Sequence, residues 1–104
     1  MRFEIVLAPE TAEDLNNLKA AVRAEVRDAL ERFLRQDPTK TSKSRIKRLR
    51  GMASPQYRLR VGDEIRVFFD VVEQTAEVLA IIPKSQVDDW LEKHGEPDEA
   101  SDTV

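Results

Sequence analysis

The middle of the sequence is crowded with cationic side chains and contains no acidic ones. Between positions 39 and 60 there are eight basic residues and no aspartate or glutamate: Lys40, Lys43, Arg45, Lys47, Arg48, Arg50, Arg58 and Arg60. Guanidinium and ammonium groups bind phosphate oxygens, and arginine can do so with two parallel hydrogen bonds. Because the whole chain has a net charge of -3, this positive charge is local, and it indicates a polyanionic partner.

Three arginines are spaced to lie on one face of a β-hairpin. Arg58 and Arg60 alternate with apolar residues, and after the turn signal Gly62-Asp63 the alternation resumes around Arg66. Successive side chains of a strand point to opposite faces, so the three guanidinium groups should project together from one side. Helices are expected to cover the apolar face of the sheet and to leave the arginine face open.

Other kinds of chemistry have few residues to support them. The sequence has no cysteine and a single histidine, His94, which excludes disulfides, thiolate catalysis, cysteine-ligated zinc and a histidine-rich metal cluster. We expect neither a metal nor an organic cofactor. With 104 residues and no apolar run near the roughly 20 residues of a membrane helix, the sequence predicts one cytoplasmic domain that does not contact a membrane.

Periodic apolar residues in the first half predict a strand and two helices. Alternation over residues 2–7 predicts a strand, and spacings of three and four from Thr11 to Arg35 predict helix. Asn16-Asn17 are weak helix formers, so we expect a break near 17–20 and hence a helical hairpin. Asp37-Pro38 ends the helical segment, and a polar loop follows.

The second half of the sequence predicts three strands and a short helix. Two tight turns separate three segments with strand patterns, Tyr57–Val61, Ile65–Val72 and Ala76–Ile82. Such closely spaced segments are typical of an antiparallel β-meander. Ser85 followed by Asp88 resembles a capping box, and the apolar spacing after it predicts a helix that ends at Gly95.

These elements define the fold class and the domain limits. The fold class is α+β: an N-terminal strand, a helical hairpin, a three-stranded antiparallel meander and a short C-terminal helix. Residues 1–95 are interpreted as a single domain. Residues 96–104 are rich in acidic residues and have no apolar stripe, which predicts an acidic, flexible tail.

Several segments resemble the RelE/ParE superfamily, whose members are toxins of bacterial type II toxin-antitoxin systems. The resemblance is carried by Arg48–Met52, Tyr57–Asp63, Ile65–Val71 and Ala80–Lys84, and the order of elements agrees over residues 1–94. It implies the RelE fold and favours the RelE-like branch. RelE-like members cut mRNA in the ribosomal A site and inhibit translation, and each is neutralised by an antitoxin that wraps it.

The resemblance also implies roles for individual residues. By similarity to RelE-like mRNA interferases, the residues around the scissile phosphate are Arg58, Arg60, Arg66 and Lys84, with Lys47 or Arg48 as the candidate proton acceptor. The candidate RNA contacts are Lys43, Arg45, Arg50 and Trp90. Such cleavage needs no metal, because the neighbouring 2'-hydroxyl attacks the phosphate and fixed cations stabilise the charge that develops. The implied partners are a cognate antitoxin, mRNA and the ribosome.

One position departs from the family pattern and leaves three functions open. RelE-like enzymes have a tyrosine where this sequence has Trp90, and an indole can stack on a base but has no titratable hydroxyl. His94 can replace the tyrosine only if its ring turns toward the arginine face of the sheet, where the RNA would lie. The alternatives are a ribosome-dependent endoribonuclease, a ParE-like toxin that inhibits DNA gyrase, and a member that binds antitoxin or RNA without catalysis.

Overall fold

The chain forms a mixed five-stranded sheet with helices on both faces. The computed structural model describes residues 2–98. In chain order the elements are β1 (Glu4–Leu7), α1 (Pro9–Asn16), α2 (Ala20–Ala29), β2 (Ile46–Arg48), β3 (Met52–Ser54), β4 (Tyr57–Val61), β5 (Ile65–Val72), β6 (Thr75–Pro83), α3 (Val87–His94) and β7 (Glu96–Pro97). A π-helical turn, Leu30–Leu34, continues α2, and a 3-10 turn, Lys84–Gln86, precedes α3. The predicted α+β fold class is confirmed.

The helical segment breaks where the two asparagines predict. α1 ends at Asn16 and α2 begins at Ala20, so the expected helical hairpin is confirmed. The side chain of Arg23 bridges the break, because its Nη1 atom donates to the carbonyl oxygens of Asn16 (3.0 Å) and Leu18 (3.2 Å). α1 begins earlier than the apolar spacing indicated, at Pro9, whose fixed φ suits the first position of a helix.

The predicted meander forms the centre of the sheet, whose strand order is β1-β6-β5-β4-β2. β4, β5 and β6 are antiparallel neighbours, joined by turns in which Gly62 and Glu73 adopt positive φ values of 59° and 54°. A side chain at Gly62 would also collide, since an added Cβ atom would lie 2.7 Å from Oε1 of Glu25. β1 lies parallel to β6 and β2 lies antiparallel to β4, two pairings that the sequence did not predict.

Apolar residues are buried on both faces of the sheet. α1, α2 and the π-helical turn cover the larger core, whose fully buried residues include Leu34, Leu59, Val67 and Phe69. On the opposite face, Phe68 is equally buried and packs with Ala80 and Ile82 beneath α3. α3 therefore covers this second face over β5 and β6, and the expectation of an open face holds only in part.

A β-bulge lets β6 contribute to both cores. Phe68 pairs with Ala80 while the next residue, Phe69, pairs with Val78, so Leu79 has no opposite partner in β5. The side-chain alternation of β6 therefore shifts by one residue at Leu79. The carbonyl oxygen of Leu79 accepts a hydrogen bond from the buried hydroxyl of Thr11 at 2.9 Å, which fixes α1 against the bulge.

The structure contains short strands that the sequence did not predict and a different start to the last helix. β2 and β3 have three residues each and β7 has two, too few for an alternation pattern to be recognised. The predicted capping box of Ser85 and Asp88 is wrong. α3 follows a 3-10 turn instead, Gln86 occupies the N-cap position, and no side-chain hydrogen bond caps the helix.

The acidic tail that was predicted from residue 96 begins with paired backbone. β7 pairs antiparallel with β3, and the N–H of Asp98 donates to the carbonyl oxygen of Gly51 at 2.8 Å. The rest of that predicted tail, residues 99–104, lies outside the described residues. Between residues 2 and 98, no helix has the length and apolar character to cross a bilayer.

Candidate nucleic-acid interface

Arg58, Arg60 and Arg66 lie together on one face of the β4–β5 hairpin, and we call them the arginine cluster. Arg60 pairs directly with Arg66, and Arg58 pairs with Phe68 in an unbroken register. Their apolar neighbours Leu59, Val61 and Val67 are buried in the larger core on the other face. The prediction that the three arginines lie on one face of the sheet is confirmed. The bulge lies in β6 and leaves the β4–β5 pairing regular.

Arg58 is the least satisfied member of the cluster. Its Nε atom is buried and has no hydrogen-bond partner among the described residues. Burial lowers the pKa of its guanidinium group below the usual value, and repulsion from Arg66 and Arg60 lowers this pKa further. A buried donor surrounded by like charges is costly for the free protein, and an anion at this point would remove both penalties.

The β4–β5 turn orients the other two arginines. Arg60 forms an ion pair with Asp63 (Nη2 to Oδ1, 2.7 Å) and donates from Nε to the carbonyl oxygen of Gly62 at 3.0 Å. Arg66 donates from Nη1 to the carbonyl oxygens of Ile65 (3.0 Å) and Asp63 (3.3 Å). The carboxylate of Asp63 is exposed, so its attraction for Arg60 is weak and the cluster keeps a positive charge.

Two lysines lie next to the arginine cluster, one across the sheet on β2 and the other at the β4–β5 turn. Lys47 is exposed on β2 and pairs with Arg58 across the sheet. Lys84 is exposed just after β6, and its backbone N–H donates to the carbonyl oxygen of Glu64 at 2.7 Å. This bond places Lys84 at the β4–β5 turn, the end of the sheet that carries Arg60 and Arg66.

Arg48 stabilises the loop between β2 and β4. Its Nη1 atom donates to the carbonyl oxygens of Leu49 and Gln56, each at 2.8 Å, and its guanidinium lies 5.4 Å from the ring centre of Tyr57. These contacts fix the guanidinium of Arg48 at the loop, and the expectation that Lys47 or Arg48 accepts a proton stays a prediction.

The remaining cations of the basic segment come before and after β2 in the chain. Arg45 turns toward the helical layer, where its guanidinium lies 4.8 Å from the ring centre of Phe33 while Nη1 donates to the carbonyl oxygen of Arg60 at 3.2 Å. Lys43 and Arg50 are exposed in the segments before and after β2. The structure thus brings Arg58, Arg60 and Arg66 together, and it places Arg45 beside Arg60, with which it lines a further pocket at the β4–β5 turn.

Trp90 faces a different kind of surface. Its ring stacks on Phe68 with centroids 5.2 Å apart, and the ring of His94 lies tilted against it with centroids 5.4 Å apart. Trp90 and His94 line a cleft of about 550 Å³ between α1 and α3. We call this the acidic cleft, because its charged rim consists of Glu10, Asp14 and Glu96. Such a rim repels phosphate, so this position does not favour RNA stacking on Trp90.

Asp70 is a positioning residue that the sequence analysis missed. One of its carboxylate oxygens accepts from the hydroxyl of Ser54 at 2.6 Å, and the other accepts from the backbone N–H of Gln56 at 2.7 Å. The side-chain oxygen of Gln56 in turn accepts from the N–H of Val71 at 3.0 Å. This network fixes the start of β4, and therefore Arg58. The available signal was an acidic residue within the otherwise apolar second half of β5.

The described residues offer no site for a bound metal. Between residues 2 and 98, no group of three or more histidine, aspartate or glutamate side chains is placed to hold an ion. The fixed cations of the arginine cluster can bind and stabilise negative charge.

Solved structures of RelE proteins have the same fold as this chain. The archaeal RelE–RelB complex from Pyrococcus horikoshii is 25% identical, with a TM-score of 0.60 over 83% of this chain and 99% of that one. The RelB–RelE antitoxin–toxin complex from Methanococcus jannaschii is 20% identical, with a TM-score of 0.62 over 82% of this chain and 96% of that one. A mutant of the E. coli toxin RelE in the free state is 15% identical, with a TM-score of 0.64 over 90% of this chain and 99% of that one.

Sequence comparison alone gives no such match. It finds neither a matching family model nor a significantly similar curated protein. The fold is retained over nearly the whole length of the three RelE chains even at low identity. The chain therefore has the RelE fold, and the resemblance to RelE-like proteins that its sequence indicates is confirmed.

Proposed function

We propose that this protein is the toxin of a toxin-antitoxin pair and that it cuts mRNA on the ribosome. The observation that carries the proposal is the buried Nε of Arg58, which has no partner among the described residues and lies beside two further arginines. A phosphate group satisfies this donor and relieves the repulsion at once. The fold shared with RelE toxins supports the same function.

In the proposed reaction the 2'-hydroxyl of one nucleotide attacks the phosphate that joins it to the next. The bond from this phosphorus to the 5'-oxygen breaks, and a cyclic phosphate and a free 5'-hydroxyl result. Arg58, Arg60 and Arg66 stabilise the extra negative charge of the transition state without changing protonation. Lys47 is the candidate acceptor for the proton of the 2'-hydroxyl, the departing 5'-oxygen takes up a proton from solvent, and Lys84 adds positive charge to the site.

The proposed partners follow from the same function. An antitoxin is supported by the two archaeal structures, which are complexes of a toxin with its antitoxin. The other proposed partners are mRNA, which is the substrate, and the ribosome on which it is cut, and this activity would belong to the cytoplasm. Arg48 contributes by fixing the loop that follows Lys47, through its hydrogen bonds to backbone carbonyls.

Primer extension on translating ribosomes tests this proposal. Wild-type protein should introduce cuts in mRNA that are absent when ribosomes are omitted. The substitution Arg66→Ala should slow cutting by about 100-fold or more, because one charge that stabilises the transition state is removed. The matched control is Arg27→Ala, which removes an arginine from the exposed surface of α2 and should leave the rate unchanged.

Two other results would replace the proposal. Intact mRNA together with inhibited DNA supercoiling by gyrase would identify a ParE-like toxin. Intact mRNA and uninhibited gyrase, from a protein that is folded by circular dichroism, would identify a member that binds without catalysis.

A further inference from the structure

An apolar pocket opens on the side of the molecule where the helical layer meets the edge strand β2. Its volume is about 280 Å³, and Phe33 and Ile46 supply its apolar lining. We call it the Phe33 pocket. A pocket of this size lies just below the range of small-molecule sites, and it fits one or two apolar side chains.

The π-helical turn at the end of α2 shapes this pocket. The N–H of Arg35 donates to the carbonyl oxygen of Leu30 at 3.2 Å, a bond that spans one residue more than in an α-helix. Leu34 is fully buried in the larger core, whereas the preceding Phe33 remains partly exposed in the pocket. The turn thus presents an aromatic ring to solvent beside a sheet edge.

Cationic side chains surround the apolar lining. Arg32, Lys40 and Arg45 line the pocket, and Asp37 is the one carboxylate among its lining residues. The guanidinium groups of Arg32 and Arg45 lie 5.5 Å and 4.8 Å from the ring centre of Phe33. A guanidinium over a ring keeps donors at its edges, and these remain suited to bind a carboxylate.

Existing contacts leave this positive charge largely uncompensated. The ion pair of Arg32 with Asp28 is long, at 3.8 Å, and both side chains are about two-thirds exposed. Such a pair contributes little and is easily exchanged for a better one. The pocket therefore combines an apolar centre with a rim that attracts negative charge.

We propose that the Phe33 pocket is a docking site for an acidic segment of a partner protein, in which carboxylates flank one apolar side chain. The apolar side chain enters between Phe33 and Ile46, and the carboxylates bind Arg32, Lys40 and Arg45. RNA fits less well, because guanidinium groups already lie over the ring where a base would stack, and phosphates gain nothing from an apolar lining.

This surface lies outside the arginine cluster, so it provides a second site with a different ligand. The inference rests on the proposed function only for the identity of the partner, which would be the antitoxin. Binding at the Phe33 pocket would hold the partner without using Arg58, Arg60 or Arg66 of the arginine cluster. An antitoxin could therefore remain attached here while its other segments cover or expose the arginine cluster.

Fluorescence anisotropy with a defined probe tests the docking site. The probe is a short labelled peptide with a central phenylalanine flanked by glutamates, added to the full-length protein. The double substitution Arg32→Glu with Lys40→Glu should weaken binding about tenfold or more, because like charges then face each other. The control, Lys19→Glu with Lys93→Glu, makes the same change in net charge at exposed sites elsewhere and should change affinity less than about twofold.

Further measurements locate the binding and separate it from catalysis. Amide chemical shifts of Phe33 and Ile46 should move when the peptide binds, and a peptide with alanine in place of phenylalanine should bind at least about tenfold more weakly. The double variant with Arg32→Glu and Lys40→Glu should cut mRNA on ribosomes at the wild-type rate. Peptide binding and mRNA cutting can therefore be lost independently, and each remains measurable without the other. No peptide binding, equal weakening by the control, or displacement of the peptide from the pocket by an RNA hexamer would overturn the inference.

Discussion

The arginine cluster and the acidic cleft flank α3 with opposite charge. The cluster is built from neighbouring positions of one hairpin, and its positive charge is only partly compensated, by Asp63. The cleft is assembled from α1, the bulge of β6, α3 and β7, which are far apart in sequence. The difference teaches that strand parity alone can create a binding surface for phosphate, whereas the adjacent cleft depends on the tertiary fold.

The separation of the arginine cluster from the acidic cleft affects the path that a bound RNA strand could follow. Phosphate is attracted to β4 and β5 and repelled beyond α3, where Glu10, Asp14 and Glu96 form the rim. Trp90 lies at this boundary, stacked on Phe68 and in tilted contact with His94. We expect the following changes to separate the two regions experimentally.

Removing the ring beneath α3 should have the largest effect, because it disrupts the boundary itself. Phe68→Ala should lower the free energy of unfolding by about 3–5 kcal/mol, since Phe68 is fully buried against Trp90. Urea unfolding followed by the fluorescence of Trp90, the one tryptophan of the chain, measures this loss. The control Val72→Ala removes a half-exposed side chain from the end of the same strand and should cost about 0.5 kcal/mol or less. A loss below about 1 kcal/mol for Phe68→Ala would show that α3 does not depend on this contact.

Replacing the unsatisfied arginine should make the free protein more stable and less able to bind RNA. Arg58→Met should raise the free energy of unfolding by about 1 kcal/mol, because an unpaired buried donor and two repulsions disappear. Thermal unfolding at low salt measures the gain, which should shrink at high salt as repulsion is screened. Arg27→Met on α2 is the matched control and should show no such gain. A less stable Arg58→Met protein would mean that Arg58 is well satisfied without an anion.

The salt dependence of RNA binding should distinguish the two regions more finely. Each phosphate contact of a single strand contributes about 0.7 to the slope of log affinity against log salt concentration. Arg66→Ala should therefore reduce the steepness of this slope by about 0.7 in titrations with a short single-stranded RNA. An unchanged slope would place Arg66 outside the path of the RNA backbone.

Neutralising the acidic cleft should have the smallest effect. Glu10→Gln with Asp14→Asn should change RNA affinity less than about twofold at physiological salt, because exposed charges are screened over about 8 Å. The same RNA titration measures this difference. A gain of about tenfold or more would show that RNA extends past Trp90 into the cleft, and the contrast between the two regions would then be wrong.

Local patterns in the sequence were sufficient to predict the meander and the arginine cluster. The sheet face on which a strand residue lies follows from its position relative to its neighbours in the chain. Gly62 marks a turn whose positive φ few other residues could adopt. The helical hairpin was predicted for a similar reason, since Asn16-Asn17 interrupt the helix through their own propensities. These features depend on interactions within about ten residues of chain.

Contacts between distant segments could not be read from the sequence. The bonds of Arg48 to the carbonyl groups of Leu49 and Gln56, for example, depend on how the loop returns to β4. The bulge at Leu79, the π-helical turn and the strands β3 and β7 are equally nonlocal. The acidic cleft and the Phe33 pocket therefore appear only once the chain is folded.

The parallel pairing of β1 with β6 also bears on how the chain is made. Glu4 pairs with Thr75, so the first strand has no neighbour in the sheet until about 70 further residues have been synthesised. At 5–20 residues per second this synthesis takes about 4–14 s. During that time the core against which the apolar residues Ile5 and Leu7 pack is incomplete. The arginines leave the ribosome before β6 does, and the five-stranded sheet becomes complete only after β6 has followed them.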